Sequence, residues 1–446
     1  MEFQKKRGII HVNKISFVFP GQGSQYVGMG KQLYEEHAEA RNAFEEASES
    51  IGFDLAKLCF EGKPSELTLT ANAQPAILTA SVAAYRVWQK EVQMKPAFMA
   101  GHSLGEITAL ACAGAIRFED AVRIVRKRGQ FMQEAMSQGS GAMAAISGMT
   151  AENIQLACEQ QLGSVVISNF NAPDQTVISG DRSAVLELCD KLGKQGAICI
   201  PLQVSAPFHS PFMKPAALQL AEELNAYSYS PLNYPVISNV TAAPYANEGQ
   251  IQPLLTEQMT AAVRWVESIR YLTAQGSDCF IEIGPKFVLK NVISKIDSSV
   301  AAYALDQAED RLSCKANWTN GLAAPAPASL DGVDRQAALT FIQRCLAIAV
   351  CTRNRNDNAE QYDEGVVKPY KQVMELYLQL EQASHPASSD DISAAADMLD
   401  SIFRTKGTPE AERLERIEQL RLETGFDKLY FTAGRIFQVA EELTIG

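Results

Sequence analysis

Phe98-Met99-Ala100-Gly101-His102-Ser103-Leu104-Gly105-Glu106 decides the fold. Ala97 to Ala100 is a short apolar strand, a tight turn follows, and a helix is predicted from Leu104 to about Ala115. Gly101, Ser103 and Gly105 spell G-x-S-x-G, the strained strand-to-helix turn that presents a serine hydroxyl at the carboxyl end of a parallel sheet. The flanking positions are glycine because a Cβ there would collide with the neighbouring strand or helix. Ser103 also sits at a helix N-terminus, where unpaired N–H groups stabilise developing negative charge.

Working outward, the same texture extends on both sides. Ile15-Ser16-Phe17-Val18-Phe19 is a continuous apolar run, as expected of a strand buried on both faces. It ends in Pro20-Gly21-Gln22-Gly23-Ser24-Gln25, a loop whose glycines let backbone N–H groups approach a ligand. Helices are expected over Gly30–Glu49, Gln74–Val92 and Phe118–Met136, with a polar, proline-punctuated stretch at Gly62–Thr70. This alternation of strand and helix is that of a doubly wound α/β fold.

From about Ser137 the pattern changes to βαββαβ: strands at Gly141–Ile146, Val165–Ser168, Thr176–Gly180 and Ala197–Leu202, helices at Thr150–Gln161 and Arg182–Gln195. That order is ferredoxin-like. Residues 137–204 therefore read as an insertion, because α/β texture resumes with strands at Pro235–Asn239 and Cys279–Ile283 and a helix over Thr256–Ala274. Residues 313–334, with Pro325 and Pro327 among alanines, read as a linker. Beyond them, residues 335–446 carry apolar positions at helical spacing, as in Leu339/Ile342/Leu346 and Ile392/Ala396/Leu399, and form an all-helical extension. Its Glu410–Glu423 charges read as a solvated helix face.

Bulk composition narrows the function. A chain of 446 residues holds two to three domains, and 46% hydrophobic with 21% charged residues is an ordinary core-forming composition. A formal charge of −12 argues against nucleic acid as a partner. Nine scattered cysteines without C-x-x-C suit free thiols in a reducing compartment, and five histidines never fall at metal-ligand spacing, so no metal site is expected. No apolar run reaches the roughly 18 residues that span a bilayer, and Met1 to Lys14 lacks the apolar core of a signal peptide. The expectation is a cytoplasmic protein without a membrane partner.

A serine nucleophile needs a base. His209, in Ala206-Pro207-Phe208-His209-Ser210-Pro211, is held in a loop by two prolines and is the candidate; His102 neighbours the nucleophile on the turn and points away from it. Gly21-Gln22-Gly23-Ser24-Gln25, Gly101-His102-Ser103-Leu104-Gly105-Glu106, Arg128-Gly129-Gln130-Phe131-Met132, Asn169-x-Asn171-Ala172-Pro173, Ile178-Ser179-Gly180, His209 and Ile281-Glu282-Ile283-Gly284-Pro285 occur in order at fitting separations. Together they resemble the malonyl-CoA:acyl carrier protein transacylases and the equivalent acyltransferase domains of polyketide synthases, over roughly residues 14–310.

The resemblance implies an α/β-hydrolase-like parallel-sheet core in an acyltransferase domain spanning residues 14–312. It implies ping-pong transfer through an acyl ester on Ser103, with His209 as general base and the backbone N–H groups of Gln22 and Leu104 as oxyanion hole. It implies no permanently bound cofactor, with malonyl-CoA as substrate and a holo-acyl carrier protein as partner. The family lacks a triad acid; its histidine is oriented by a carbonyl from the segment that here holds Gln258, located by its position before Val263-Arg264-Trp265. Arg128 corresponds to the arginine that holds the free malonyl carboxylate, a pairing suited to a planar guanidinium. His102 and Phe208 join it as substrate-binding positions. A phenylalanine before the histidine resembles malonyl-selective enzymes, because the ring fills the space of an α-methyl; fatty-acid-synthesis relatives usually carry a small residue there. The implied role is a stand-alone, trans-acting acyltransferase of a polyketide or hybrid peptide–polyketide pathway, otherwise of fatty-acid synthesis.

Two other readings stay open. An acyl-carrier thioesterase would use the same nucleophile with water, although hydrolase relatives commonly lack the arginine. A recruitment protein would act through the helical tail, although Ser103, His209 and Arg128 are all intact. In that tail Lys428 stands where a carrier protein's modified serine would be, and Asp400-Ser401-Ile402 lacks the preceding glycine. The extension reads as a stabilising cap or a docking element for the acceptor.

Overall fold

The computed structural model describes residues 14–135, 140–161, 164–202, 206–319, 335–356, 358–382 and 387–409, with 412–413, 416–417, 420 and 424. Ile15–Phe19 (β1), buried at every position, is the middle strand of a five-stranded sheet. On one side it pairs in parallel with Phe98–Gly101 (β2), with Phe17 opposite Met99. Gly141–Ser147 (β3), Val165–Ala172 (β4), Gln175–Asp181 (β5) and Ile198–Pro201 (β6) then form a separate antiparallel sheet. Val236–Ile237 (β7), Cys279–Glu282 (β8) and Ala301–Ala304 (β9) complete the parallel sheet in the order β7-β2-β1-β8-β9. The chain runs from β1 to one side and returns to the other, so the crevice at the carboxyl end of β1 is where a ligand site is expected in such a sheet.

The antiparallel sheet has the order β4-β5-β3-β6, with helices Ala151–Glu159 and Arg182–Gly193 and a core of Ile146, Ile154, Ile178, Val185, Leu188 and Leu192. It joins the larger body through β4: Phe170 N–H donates to Val263 C=O and Val263 N–H to Ser168 C=O, each 2.9 Å. Register shifts between Ile167 and Asn169 and between Phe170 and Ala172 disturb β4 here. Such bulges redirect side chains, and Asn169 and Asn171 both line the cleft described below.

Several expectations are corrected. The helix expected over Gly30–Glu49 is two, Lys31–Glu36 and Ala38–Ile51, because His37 is extended (φ −126°, ψ 128°). The proline-punctuated stretch contains a short helix, Pro64–Leu67. The next helix begins at Thr70, not Gln74, and contains Pro75. A proline there cannot serve the carbonyl four residues back; the Ala71 carbonyl instead accepts from Arg126 at 2.7 Å.

The helix expected over Thr256–Ala274 is also two, Ile251–Gln258 and Trp265–Ala274, since the intervening Val263 is drawn to β4. Helix Val288–Ile296 and strand β9 add to the elements expected from the sequence. Helix Ala308–Thr319 runs through the first residues of the expected 313–334 linker, with Cys314 buried, so the regular structure of the first unit extends beyond residue 312.

The chain divides into two compact units, Met1–Ala324 and Pro325–Gly446. In the second, helices Arg335–Cys351, Lys368–Gln382 and Ser389–Thr405 enclose Phe341, Ile342, Cys345, Leu399, Ile402 and Phe403. Ser388 caps the last of these helices in a reciprocal arrangement with Asp391. Ser401 lies inside that helix and its hydroxyl donates to Gly365 C=O at 2.9 Å. The 320–334 portion of the linker, Lys428 and the helical pattern expected after residue 425 lie outside the described residues. Among the described residues no helix is long and apolar enough to cross a membrane, and no cluster of His, Cys, Asp and Glu suits a metal.

Candidate active site

Ser103 follows β2 and caps the helix Leu104–Cys112 with φ 54°, ψ −107°, a conformation rare for a residue with a side chain. Two close approaches hold it. A Cβ on Gly101 would lie 1.9 Å from the Gly105 backbone, and one on Gly105 would lie 2.0 Å from the Phe19 carbonyl oxygen of β1. The turn is clamped further by Asn239, which follows β7. Its Oδ1 accepts from Ser103 N–H at 2.7 Å, and its Nδ2 donates to Gly101 C=O at 2.7 Å. No sequence signal marked Asn239; it reaches the turn only because β7 pairs with β2.

His209 also has a positive φ, 55°, so both members of the pair are held in uncommon backbone conformations. Ser103 Oγ lies 2.7 Å from His209 Nε2, and His209 Nδ1 lies 2.8 Å from the Gln258 carbonyl. A carbonyl only accepts, so Nδ1 carries the proton and Nε2 is left to receive one from Ser103. Gln258 is the last residue of its helix, and such terminal carbonyls have no intrahelical partner. An unbroken helix over Thr256–Ala274 would have used that carbonyl internally. The break is what frees it for His209.

Arg128, on the helix Phe118–Glu134, is 1% exposed. It donates to Ser103 Oγ at 3.2 Å, to Gln74 Oε1 at 2.8 Å and to Gln258 Oε1 at 2.9 Å. Its Nε is buried without a hydrogen-bond partner, and no carboxylate stands within ion-pair distance among the described residues. Gln74 is a second contact that the sequence did not single out. Gln22 and Leu104 face the same cleft of about 410 Å³ as Ser103, Arg128, Phe208 and His209. Leu104 begins its helix, so its N–H belongs to the first turn, where amides lack intrahelical partners. Phe208 is buried against the cleft wall. His102 places Nε2 2.8 Å from Asn171 Oδ1 and its ring edge-on to Trp265, and lines the same cleft.

Burial, then the Arg128 cation, pushes the His209 imidazolium down to about pH 3. Burial lowers Arg128 to about 10, which leaves it a cation at neutral pH. The His209 imidazole is thus unprotonated across the physiological range. The acidic limb of the acylation rate on the free enzyme is expected well below 6.5, the imidazole's ordinary value, in rapid-quench measurements over pH 4–8. A limb centred at 6.5 contradicts it. The same depression links to stability: the unfolded chain takes up this proton below about 6.5 and the folded chain does not. His209 therefore favours folding fully above 6.5, and its contribution is lost as pH falls from there towards 3.

Residues 16–312 match the family described as the acyl transferase domain. A malonyl CoA-acyl carrier protein transacylase from Bacillus subtilis is 40% identical over 408 residues, covering 90% of this chain and 99% of that relative, and so reaches well past residue 335. The solved malonyl CoA-acyl carrier protein transacylase from Coxiella burnetii is 40% identical with a TM-score of 0.67, covering 70% of this chain and 100% of that one. A malonyl-transacylase solved in complex with a type II PKS acyl-carrier protein is similar at 40% identity and TM-score 0.67, covering 68% of this chain and 99% of that one. A parallel α/β sheet, a serine on a strained strand-to-helix turn and this extent of likeness lead to one family: the chain belongs to the malonyl CoA-acyl carrier protein transacylases.

Proposed function

We propose that the chain transfers malonyl from malonyl-CoA to the phosphopantetheine thiol of a holo-acyl carrier protein through an ester on Ser103. The observation that carries the reading is the buried Arg128 guanidinium, 3.2 Å from the oxygen that would attack. A cation so near the nucleophile, with an unpaired N–H, favours an acyl group that ends in a carboxylate.

In the first half-reaction Ser103 Oγ attacks the thioester carbonyl as His209 Nε2 takes its proton. Negative charge collects on the carbonyl oxygen, where the N–H groups of Gln22 and Leu104 receive it. Collapse breaks the C–S bond, and His209 returns the proton to the departing CoA thiolate. In the second half the carrier's thiol gives its proton to His209 and attacks the ester, and Ser103 leaves with that proton. The cycle needs no resident cofactor. Phe208 fills the space of an α-methyl, worth about 1–3 kcal/mol of discrimination, and His102 shapes the wall on the side of β4. The bulk at Phe208 and the likeness to a transacylase captured with a polyketide-type carrier support service in a polyketide or hybrid pathway. Residues 14–312 are assigned to catalysis, with 137–204 a ferredoxin-like insertion, and residues 335–446 to a helical extension.

Intact mass after mixing with malonyl-CoA, then with holo-carrier, tests the function. A malonyl adduct that passes to the carrier supports it; an adduct lost to water whether or not carrier is present makes the protein a thioesterase. Arg128→Ala is expected to weaken malonyl transfer by about 1.5–3 kcal/mol, the range for charged hydrogen bonds, and relatively to favour acetyl-CoA. Equal losses for the two thioesters refute the carboxylate role.

A further inference from the structure

Glu106 is a carboxylate that the reaction above leaves unused. It sits one turn beyond Ser103, is 0% exposed, and accepts from Asn239, Gln258 and Tyr245 among others. Asn239 N–H reaches Oε2 at 2.9 Å, Gln258 Nε2 reaches the same oxygen at 2.7 Å, and the Tyr245 hydroxyl reaches Oε1. Burial pushes this carboxyl above the ordinary carboxylate range, and the donors around it, which favour its ionised form, work against that rise.

The Gln258 amide links this anion to Arg128. Its Oε1 accepts from the guanidinium at 2.9 Å, while its Nε2 donates to Glu106 and, at 3.1 Å, to the Ser103 carbonyl. A guanidinium only donates and a carboxylate only accepts, so the two ends fix which way the amide points. One amide thus separates a buried cation from a buried anion. Neither has a direct ion-pair partner among the described residues.

We propose that Glu106 is the buried counter-ion of Arg128, acting through the Gln258 amide, and that its charge limits how tightly the site holds a carboxylate-bearing acyl group. The inference rests on the reading that Arg128 receives the malonyl carboxylate. With Glu106 ionised, the arriving carboxylate shares a cation that is already partly balanced. It is drawn in strongly enough to be selected and weakly enough to leave with the carrier. Without that charge the cation is unopposed and the anionic acyl group is held more tightly. Glu106 is therefore a specificity-determining residue that touches neither substrate nor the reacting atoms.

Glu106→Gln tests this because the amide keeps the shape and one oxygen for Asn239 and Gln258, and removes the charge. Half-saturating concentrations for acylation are measured with malonyl-CoA and acetyl-CoA for wild type, Glu106→Gln, Arg128→Ala and the double variant. The malonyl-to-acetyl ratio is expected to fall about tenfold in Glu106→Gln, the order of effect of one charge acting across an amide in a partly shielded interior. In the Arg128→Ala background the same change is expected to leave the ratio within about twofold, since coupled residues are non-additive.

A merely structural role moves both thioesters together, and an unchanged ratio overturns the proposal. So does a shift towards acetyl, or an equal shift with and without Arg128. If Glu106→Gln does not fold, Tyr245→Phe removes one donor to the carboxylate and is expected to move the ratio the same way by less; no movement, or the opposite one, overturns the proposal. Absence of any malonyl adduct on the wild-type protein overturns the function itself, and is seen before any variant is compared.

Discussion

Ser103→Ala is expected to form no malonyl adduct and to lower transfer to the carrier by about 10⁴-fold or more, the scale of loss when the serine of such a pair is removed. The expectation follows from the geometry of one oxygen. Ser103 Oγ is the atom that His209 Nε2 and Arg128 Nη2 both contact, at 2.7 and 3.2 Å. The alanine variant keeps the cleft, the arginine and the amides, so it should still bind malonyl-CoA while making no ester. His209→Ala should lose a comparable amount, because the pair works as a unit and removing either member removes proton transfer. Intact mass and single-turnover transfer check both. A malonyl ester that persists in Ser103→Ala places the nucleophile elsewhere.

Gly105→Ala is expected to destabilise the first unit by about 3 kcal/mol, at the upper end of overpacking costs, and to lower its melting midpoint by about 5 °C. The added Cβ would sit 2.0 Å from the Phe19 carbonyl oxygen, a backbone atom with little room to retreat. Phe19 ends β1, is opposite Gly101 in the register with β2, and lies in the strand that β8 holds on the other side. The helix must move instead, and it carries Ser103 at its first turn. Activity should therefore fall with stability. Gly193→Ala, at a helix end where a Cβ meets nothing within 4 Å, should leave the midpoint unchanged in the same scan. Equal effects of the two substitutions refute the close-approach reading.

Much of the candidate site is legible in the sequence. Residue types that carry chemistry stand in short ordered runs: the glycines around Ser103, the prolines around His209, and Arg128 followed by Gly129. The βαββαβ order could be read because each strand and helix is long enough to show its own period. Boundaries failed where tertiary pairing overrode local preference. Val263 leaves a helical pattern to join β4, and Pro75 sits inside a helix because Arg126 serves the carbonyl it leaves open. Asn239, Gln74, Tyr245 and the part played by Glu106 were not legible, since nothing in their neighbouring residues distinguishes them.

From residue identity and local spacing alone the sequence singles out Ser103, His209 and Arg128 as candidates and shows the α/β character of the first unit. Only the tertiary structure decided how they meet. Ser103 and His209 are 106 positions apart and Arg128 and Gln258 are 130 apart, yet the four converge at the carboxyl edge of one sheet. Strand order β7-β2-β1-β8-β9 brings Asn239 to the turn, and a broken helix frees the Gln258 carbonyl. The physical reason is that a buried polar group must find its partner wherever the fold brings one, and such partners lie far apart along the chain.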